Sequence, residues 1–125
     1  MACADAANPA HVPSCRARDL WLEKEGLLFM TDYIIDETLM LLRLRLRLRA
    51  AEKWWHSIAA SSRVQRELIH EERAERARGI FFRYHDKDFS FTDCTSFAVM
   101  REMRLRQALT TDTHFRQAGF QMLPR

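Results

Sequence analysis

Three carboxylates in this 125-residue chain, Glu37, Asp93 and Asp112, stand where chemistry could gather. Each lies at or just after a junction where the hydrophobic pattern changes from strand or loop to helix. Ends of parallel strands that feed helices share one edge of a sheet, and α/β proteins bind their ligands there. Carboxylates converging on such an edge repel one another unless a cation neutralises them. Oxygen donors suit Mg²⁺ or Mn²⁺ rather than zinc. A cation of that kind lowers the pKa of a bound water and stabilises charge on a phosphoryl group.

Each residue also has a reading without chemistry. Glu37 falls within the apolar stripe of its helix, three residues after Ile34 and four before Leu41. It either serves a site or sits at the stripe's edge and reaches solvent or an arginine. Ser90-Phe91-Thr92-Asp93 fits a capping box, in which Asp93 needs no other role. Asp112 can equally be the N-cap of a short helix. His114, two residues beyond Asp112, reads as a surface histidine within reach of the same place.

The elements that would position these residues alternate between short strands and helices. A helix is expected from Pro13 to before Gly26, and a buried strand over Leu27–Thr31. Ile34, Ile35, Thr38, Leu41 and Leu42 have helical spacing. Leu42 to Arg49 alternates strictly between Leu and Arg, a strand pattern, yet neither residue is β-branched and both favour helix. We therefore expect a helix that runs into the repeat and breaks there. Ala51, Trp54, Trp55, Ile58 and Ala59 make another helical stripe, with the Trp pair in the core. A weakly patterned strand follows over Arg63–Ile69. The next helix opens at Glu71-Glu72, with Ala74, Ala77, Phe81 and Tyr84 as its apolar face. A helix over Thr92–Met103, a strand at Ala108–Thr110, a helix from Asp112 to Ala118 closed by Gly119 and an edge strand over Phe120–Leu123 complete the pattern. The class is α/β with a parallel sheet.

The hydrophobic share of 47% against 30% charged describes a folded domain of this length. Three Cys at wide separation, with no Cys-x-x-Cys, argue against a disulfide framework or a zinc site and for a reducing, cytoplasmic setting. No apolar run reaches membrane length, and the first residues have neither a basic nor an apolar segment of a signal peptide. The formal charge of +3, carried almost wholly by Arg, is too weak a field to single out nucleic acid.

Three motifs together bring in a family. Asp86 to Met100 (DKDFSFTDCTSFAVM) resembles the third acidic motif of bacterial PIN domains. Ala108 to Phe115 (ALTTDTHF), followed by Ala118-Gly119-Phe120, resembles the fourth, and Thr31 to Leu39 (TDYIIDETL) the second. The resemblance spans nearly the whole chain, and its nearest form is the VapC type of toxin ribonuclease. It implies a three-layer fold, a parallel sheet flanked by helices, forming a single domain over residues 1–125. It implies a metal-dependent endoribonuclease in which Glu37, Asp93 and Asp112 hold Mg²⁺ or Mn²⁺, with Thr92 and Ser96 behind them. It further implies an RNA substrate, an antitoxin protein as partner and a homodimer, with no membrane association. The alternative is a catalytically dead remnant that binds RNA or an antitoxin.

One departure from the family stands at the start. Members begin with a central strand ending in Asp, whereas Ala4-Asp5-Ala6-Ala7-Asn8-Pro9-Ala10-His11 resembles the segment after that strand. Asp5 is therefore not assigned the first ligand's role, and the domain reads as incomplete at its N-terminus. Loss of a central strand uncovers two strand edges and the helix faces packed on it. Five buried aliphatic side chains would contribute roughly 8–15 kcal/mol, comparable with the whole stability of a small domain. The 125-residue form is expected to be aggregation-prone and impaired in RNA cleavage, and addition of an upstream strand ending in Asp to recover both properties. Thermal unfolding and metal-dependent cleavage of the two forms, compared side by side, check this; a cooperative and fully active short form would refute it.

Overall fold

The computed structural model describes residues 26–123. Strand β1 (Leu28–Thr31) leads directly into helix α1 (Asp32–Arg45), followed by α2 (Leu48–Ala60) and strand β2 (Val64–Glu67). Helices α3 (Glu71–Arg83) and α4 (Phe91–Glu102) come next. Strand β3 (Gln107–Leu109), the short helix α5 (His114–Gln117) and strand β4 (Gln121–Leu123) close the described chain.

The strands pair in parallel, β1 with β2 and β3 with β4. Parallel neighbours need a crossover, supplied by α1 and α2 in the first pair and by the α5 segment in the second. Leu28 lies opposite Val64 and Thr31 opposite Glu67, while Gln107 faces Gln121 and Leu109 faces Leu123. The two pairs form separate sheets, and among the described residues no strand joins them. The expected α/β pattern of parallel strands with flanking helices is thus present, in two portions. The helix expected from Pro13 lies outside the described residues, as do Cys3 and Cys15.

The Leu/Arg repeat resolves into two helices. Helix α1 continues through Arg45, Leu46 leaves helical geometry at φ −113°, ψ −88°, and Arg47 is extended ahead of α2. Leu44, Leu46 and Leu48 are all exposed, so the alternation builds no buried face, and intrinsic helix preference decides the conformation. Two expectations about the core need correction. Phe81 is exposed rather than part of the buried face of α3, because that face is turned toward Arg73, Ala74 and Ala77. Trp54 and Trp55 are half-buried; Trp55 carries the Arg66 guanidinium over its ring at 5.2 Å instead of entering the core.

The core lies between α3, α4 and the β3–β4 half. Phe97, with no exposed surface, is its centre. Its ring meets those of Phe89 and Phe115 edge-on at 5.0 Å each and stacks on Phe120 at 5.7 Å. Ala77, Cys94, Ala98 and Met100 fill the space around it. Gly119, at φ +99°, makes the turn between α5 and β4 in a backbone conformation that side chains resist.

The β1–β2 half is fastened to this core by charge. The Arg73 guanidinium, on α3, donates to Glu102 at the end of α4 (2.6 and 3.2 Å), to Glu67 of β2 (3.3 Å) and to the Leu68 carbonyl (2.9 Å). Its side chain is only 10% exposed. The hydrogen bonds that Arg73 donates to Glu102 raise the Arg73 pKa, and the same bonds hold Glu102 below the usual carboxylate range. Because the folded pKa of Glu102 is depressed, its contribution is present above the unfolded carboxylate pKa. It is lost as pH falls through the folded value.

Two substitutions test this division. Phe97→Ala should cost about 3–5 kcal/mol in chemical denaturation, since the surrounding rings cannot close the cavity. Arg73→Ala should cost about 3 kcal/mol by leaving Glu67 and Glu102 without their partner. The Arg73→Ala loss should shrink as pH is lowered below the carboxylate range, and a loss that is constant with pH would mean that the ion cluster is not its source.

Candidate metal centre

Asp93 is set by the start of α4. Ser90 Oγ accepts the Asp93 N–H at 3.0 Å, and Asp93 Oδ2 accepts the Ser90 N–H at 3.0 Å. This is a complete capping box, so the capping reading of Asp93 is correct as far as it goes. The same Oδ2 also lies 2.9 Å from His114 Nδ1. A carboxyl group buried to 8% exposure thereby has both its helix and its neighbour satisfied.

Asp112 is set by the loop after β3. Its N–H donates to Thr110 Oγ1 at 3.0 Å, and its Oδ1 accepts the His114 N–H at 2.9 Å. It is not the N-cap residue of α5; that position is Thr113, whose side chain makes no capping bond. The carboxylate of Asp112 nevertheless takes the first free N–H of that helix, and it is 42% exposed. His114 Nδ1 lies 3.3 Å from its Oδ1, so one ring nitrogen stands between two carboxylates. The Phe89 ring braces the imidazole edge-on at 5.6 Å.

Asp93, Asp112 and His114 thus offer three ligand atoms within 4.8 Å of one another. The cis edge of an octahedron with metal–ligand bonds near 2.1 Å is about 3 Å, close to the spacing of both carboxylates from Nδ1. The residues fit a small divalent cation. Sequence reasoning found both carboxylates but placed His114 on the surface. The signal available was the two-residue spacing from Asp112, which a four-residue helix turns back toward Asp93.

Glu37 is not in that group of three. It is exposed in the second turn of α1. It shares a face with Tyr33, one turn earlier, and the Tyr33 ring meets that of Phe91 at 5.9 Å, two residues before Asp93. The start of α1 is itself anchored: Thr31 Oγ1 accepts the Ile34 N–H at 3.1 Å, and Asp32 Oδ1 accepts the Ile69 N–H at 3.0 Å. Ser96 is buried one turn along α4 from Asp93, and the half-buried Thr92 has its carbonyl taken by the Thr95 hydroxyl at 2.6 Å. Cys94, the cysteine beside Asp93, is no nucleophile: burial, and then the Asp93 charge, push its thiol up to about 11.

A groove of roughly 870 Å³ between α1, α2 and β2, lined by Ile35, Leu39, Met40, Leu48, Trp55 and Leu68, contains none of these groups. No described helix is long and apolar enough to cross a membrane.

Comparison with known proteins agrees with the geometry. The PIN-domain family model matches residues 13–121. The 23S rRNA-specific endonuclease VapC20 of Mycobacterium tuberculosis, in strains CDC 1551 / Oshkosh and ATCC 25618 / H37Rv, is 34% identical over 104 residues. The matched segment is 83% of this chain and 79% of the relative. The crystal structure of Mycobacterium tuberculosis VapC20, a sarcin–ricin loop cleaving toxin, superposes with a TM-score of 0.84 at 32% identity, covering 95% of this chain and 88% of that one. An α/β chain with parallel strands, with two acidic residues drawn together at helix starts and with this match along its length, belongs to the PIN-domain family, in its VapC-like branch.

Proposed function

We propose that this chain hydrolyses RNA phosphodiester bonds with a divalent cation held by Asp93 and Asp112, and that Glu37 completes the acidic wall from α1. The observation that carries the reading is the convergence of Asp93 and Asp112 on one point from two separate elements. By family and relatives the chain is an endoribonuclease of the PIN/VapC type. When bound, the cation would supply an activated water and offset charge on the phosphoryl oxygens. Either Mg²⁺ or Mn²⁺ suits the carboxylates. The protein's own contribution is placement: the capping box fixes Asp93, the Thr110 turn fixes Asp112, and Ser96 with Thr92 supports the wall behind them.

The relatives direct the choice of RNA. VapC20 is specific for 23S rRNA, so a loop of large-subunit rRNA is the first substrate to offer. An antitoxin protein is the expected partner, and a cytoplasmic setting and a homodimer go with the same reading. Exposed Met40, Leu44, Leu46, Leu48 and Leu68 provide apolar surface for such contacts.

Cleavage of 23S rRNA should require Mg²⁺ or Mn²⁺ and stop with a chelator. Asp112→Asn, which keeps the turn's hydrogen bond to His114, should lower the rate at least about a hundredfold while leaving thermal unfolding within about 1 kcal/mol. Glu37→Gln should lower it with no loss of stability, since the residue is exposed. Wild-type rates in Asp112→Asn would overturn the assignment. Binding of RNA without any cleavage by the wild type would favour the alternative of a non-catalytic binding module.

A further inference from the structure

We infer that His114 is itself a ligand of the cation held by Asp93 and Asp112, and that its nitrogen tilts the site toward Mn²⁺ over Mg²⁺. The inference rests on the metal-site reading above and adds a donor that the carboxylate pattern does not contain. His114 Nδ1 is 2.9 Å from Asp93 Oδ2 and 3.3 Å from Asp112 Oδ1, the spacing of adjacent donors around one small cation. Its backbone N–H is held by Asp112 and its ring by Phe89, so the nitrogen is aimed before any cation arrives. On binding a cation the ring would carry its hydrogen on Nε2 and give the Nδ1 lone pair to the point shared by the two carboxylates, in place of the Nδ1 contact to Asp93. The side chains of His114 and Asp112 are 27% and 42% exposed, so the group lies at the surface.

The consequence is selectivity. Mg²⁺ favours an all-oxygen shell, whereas first-row transition ions accept imidazole alongside carboxylate. A site with two carboxylates and one imidazole should therefore prefer Mn²⁺ to Mg²⁺ by more than a carboxylate-only site would. This preference is a property of binding and is read without turnover.

The test uses the whole 125-residue chain, free of any added histidine tag, with Mn²⁺ as probe and Mg²⁺ as competitor. Pulsed electron paramagnetic resonance of bound Mn²⁺ should show coupling to one nitrogen, and His114→Ala should abolish it. Competition titrations should show the Mn²⁺ preference over Mg²⁺ falling at least about tenfold in His114→Ala. His114→Gln, which offers an oxygen instead, should retain Mg²⁺ binding without restoring the preference, and it serves where the alanine variant does not fold. Absence of nitrogen coupling in the wild type, or an unchanged preference in both variants, would overturn the role of His114. If Asp112→Asn still removes Mn²⁺ binding in that case, the carboxylate site stands without its histidine. If Asp112→Asn binds Mn²⁺ as the wild type does, the site reading falls as well.

Discussion

A buried carboxyl group has to be satisfied on every side, and in this protein that demand falls on Asp93. It is 8% exposed at the first turn of a helix that is otherwise the most buried element described. The capping box with Ser90 fixes where α4 begins, and the beginning of α4 fixes where Phe97 enters the aromatic core one turn later. The same oxygen meets His114 and so sets how the segment after β3 folds back. Helix start, core register and candidate metal centre therefore hang on one side chain. A change at Asp93 is expected to mix loss of stability with loss of function, which is why Asp112 is the cleaner probe of the chemistry.

The two halves of the described chain are held by different forces. The α3–α4 half is a ring-on-ring core around Phe97. The β1–β2 half is tied to it through Arg73, which bridges Glu67 of β2 and Glu102 of α4. Charged pairs with partly exposed members contribute less than their number suggests. Arg73 is the exception, because it is buried with three separate acceptors. The Tyr33–Phe91 contact adds an apolar seam close to the site, so α1, which carries Glu37, is positioned through its neighbour at the start of α4.

Much of this was legible in the sequence, for reasons that are local. Thr31 before an acidic first turn, the Ser-x-x-Asp box and the glycine after α5 are short-range chemistry, and each produced the expected boundary within a residue or two. The Leu/Arg repeat was readable only because helix propensity outweighs alternation when no face is to be buried. What the sequence could not show was rotation and reach. Phe81 has helical spacing that suits a core, but the buried face of α3 is set by where Glu67 and Glu102 call for Arg73, and Trp55 of α2 lies under Arg66 of β2; both are contacts between residues apart in the chain. His114 was placed on the surface for the same reason: its partner Asp93 lies 21 residues away, and the two-residue spacing from Asp112 shows reach toward the site but not that contact.

The capping and functional readings of these acids are not rivals. A helix start offers free N–H groups that orient a carboxylate at no cost in extra structure, and an oriented carboxylate is what a cation site needs. Asp93 and Asp112 both use backbone N–H groups in this way and still present an oxygen to the same point. Their exposure differs, however, with Asp93 buried, Asp112 42% exposed and Glu37 on the surface. On the proposed reading the site then has a rigid inner wall and an open outer one.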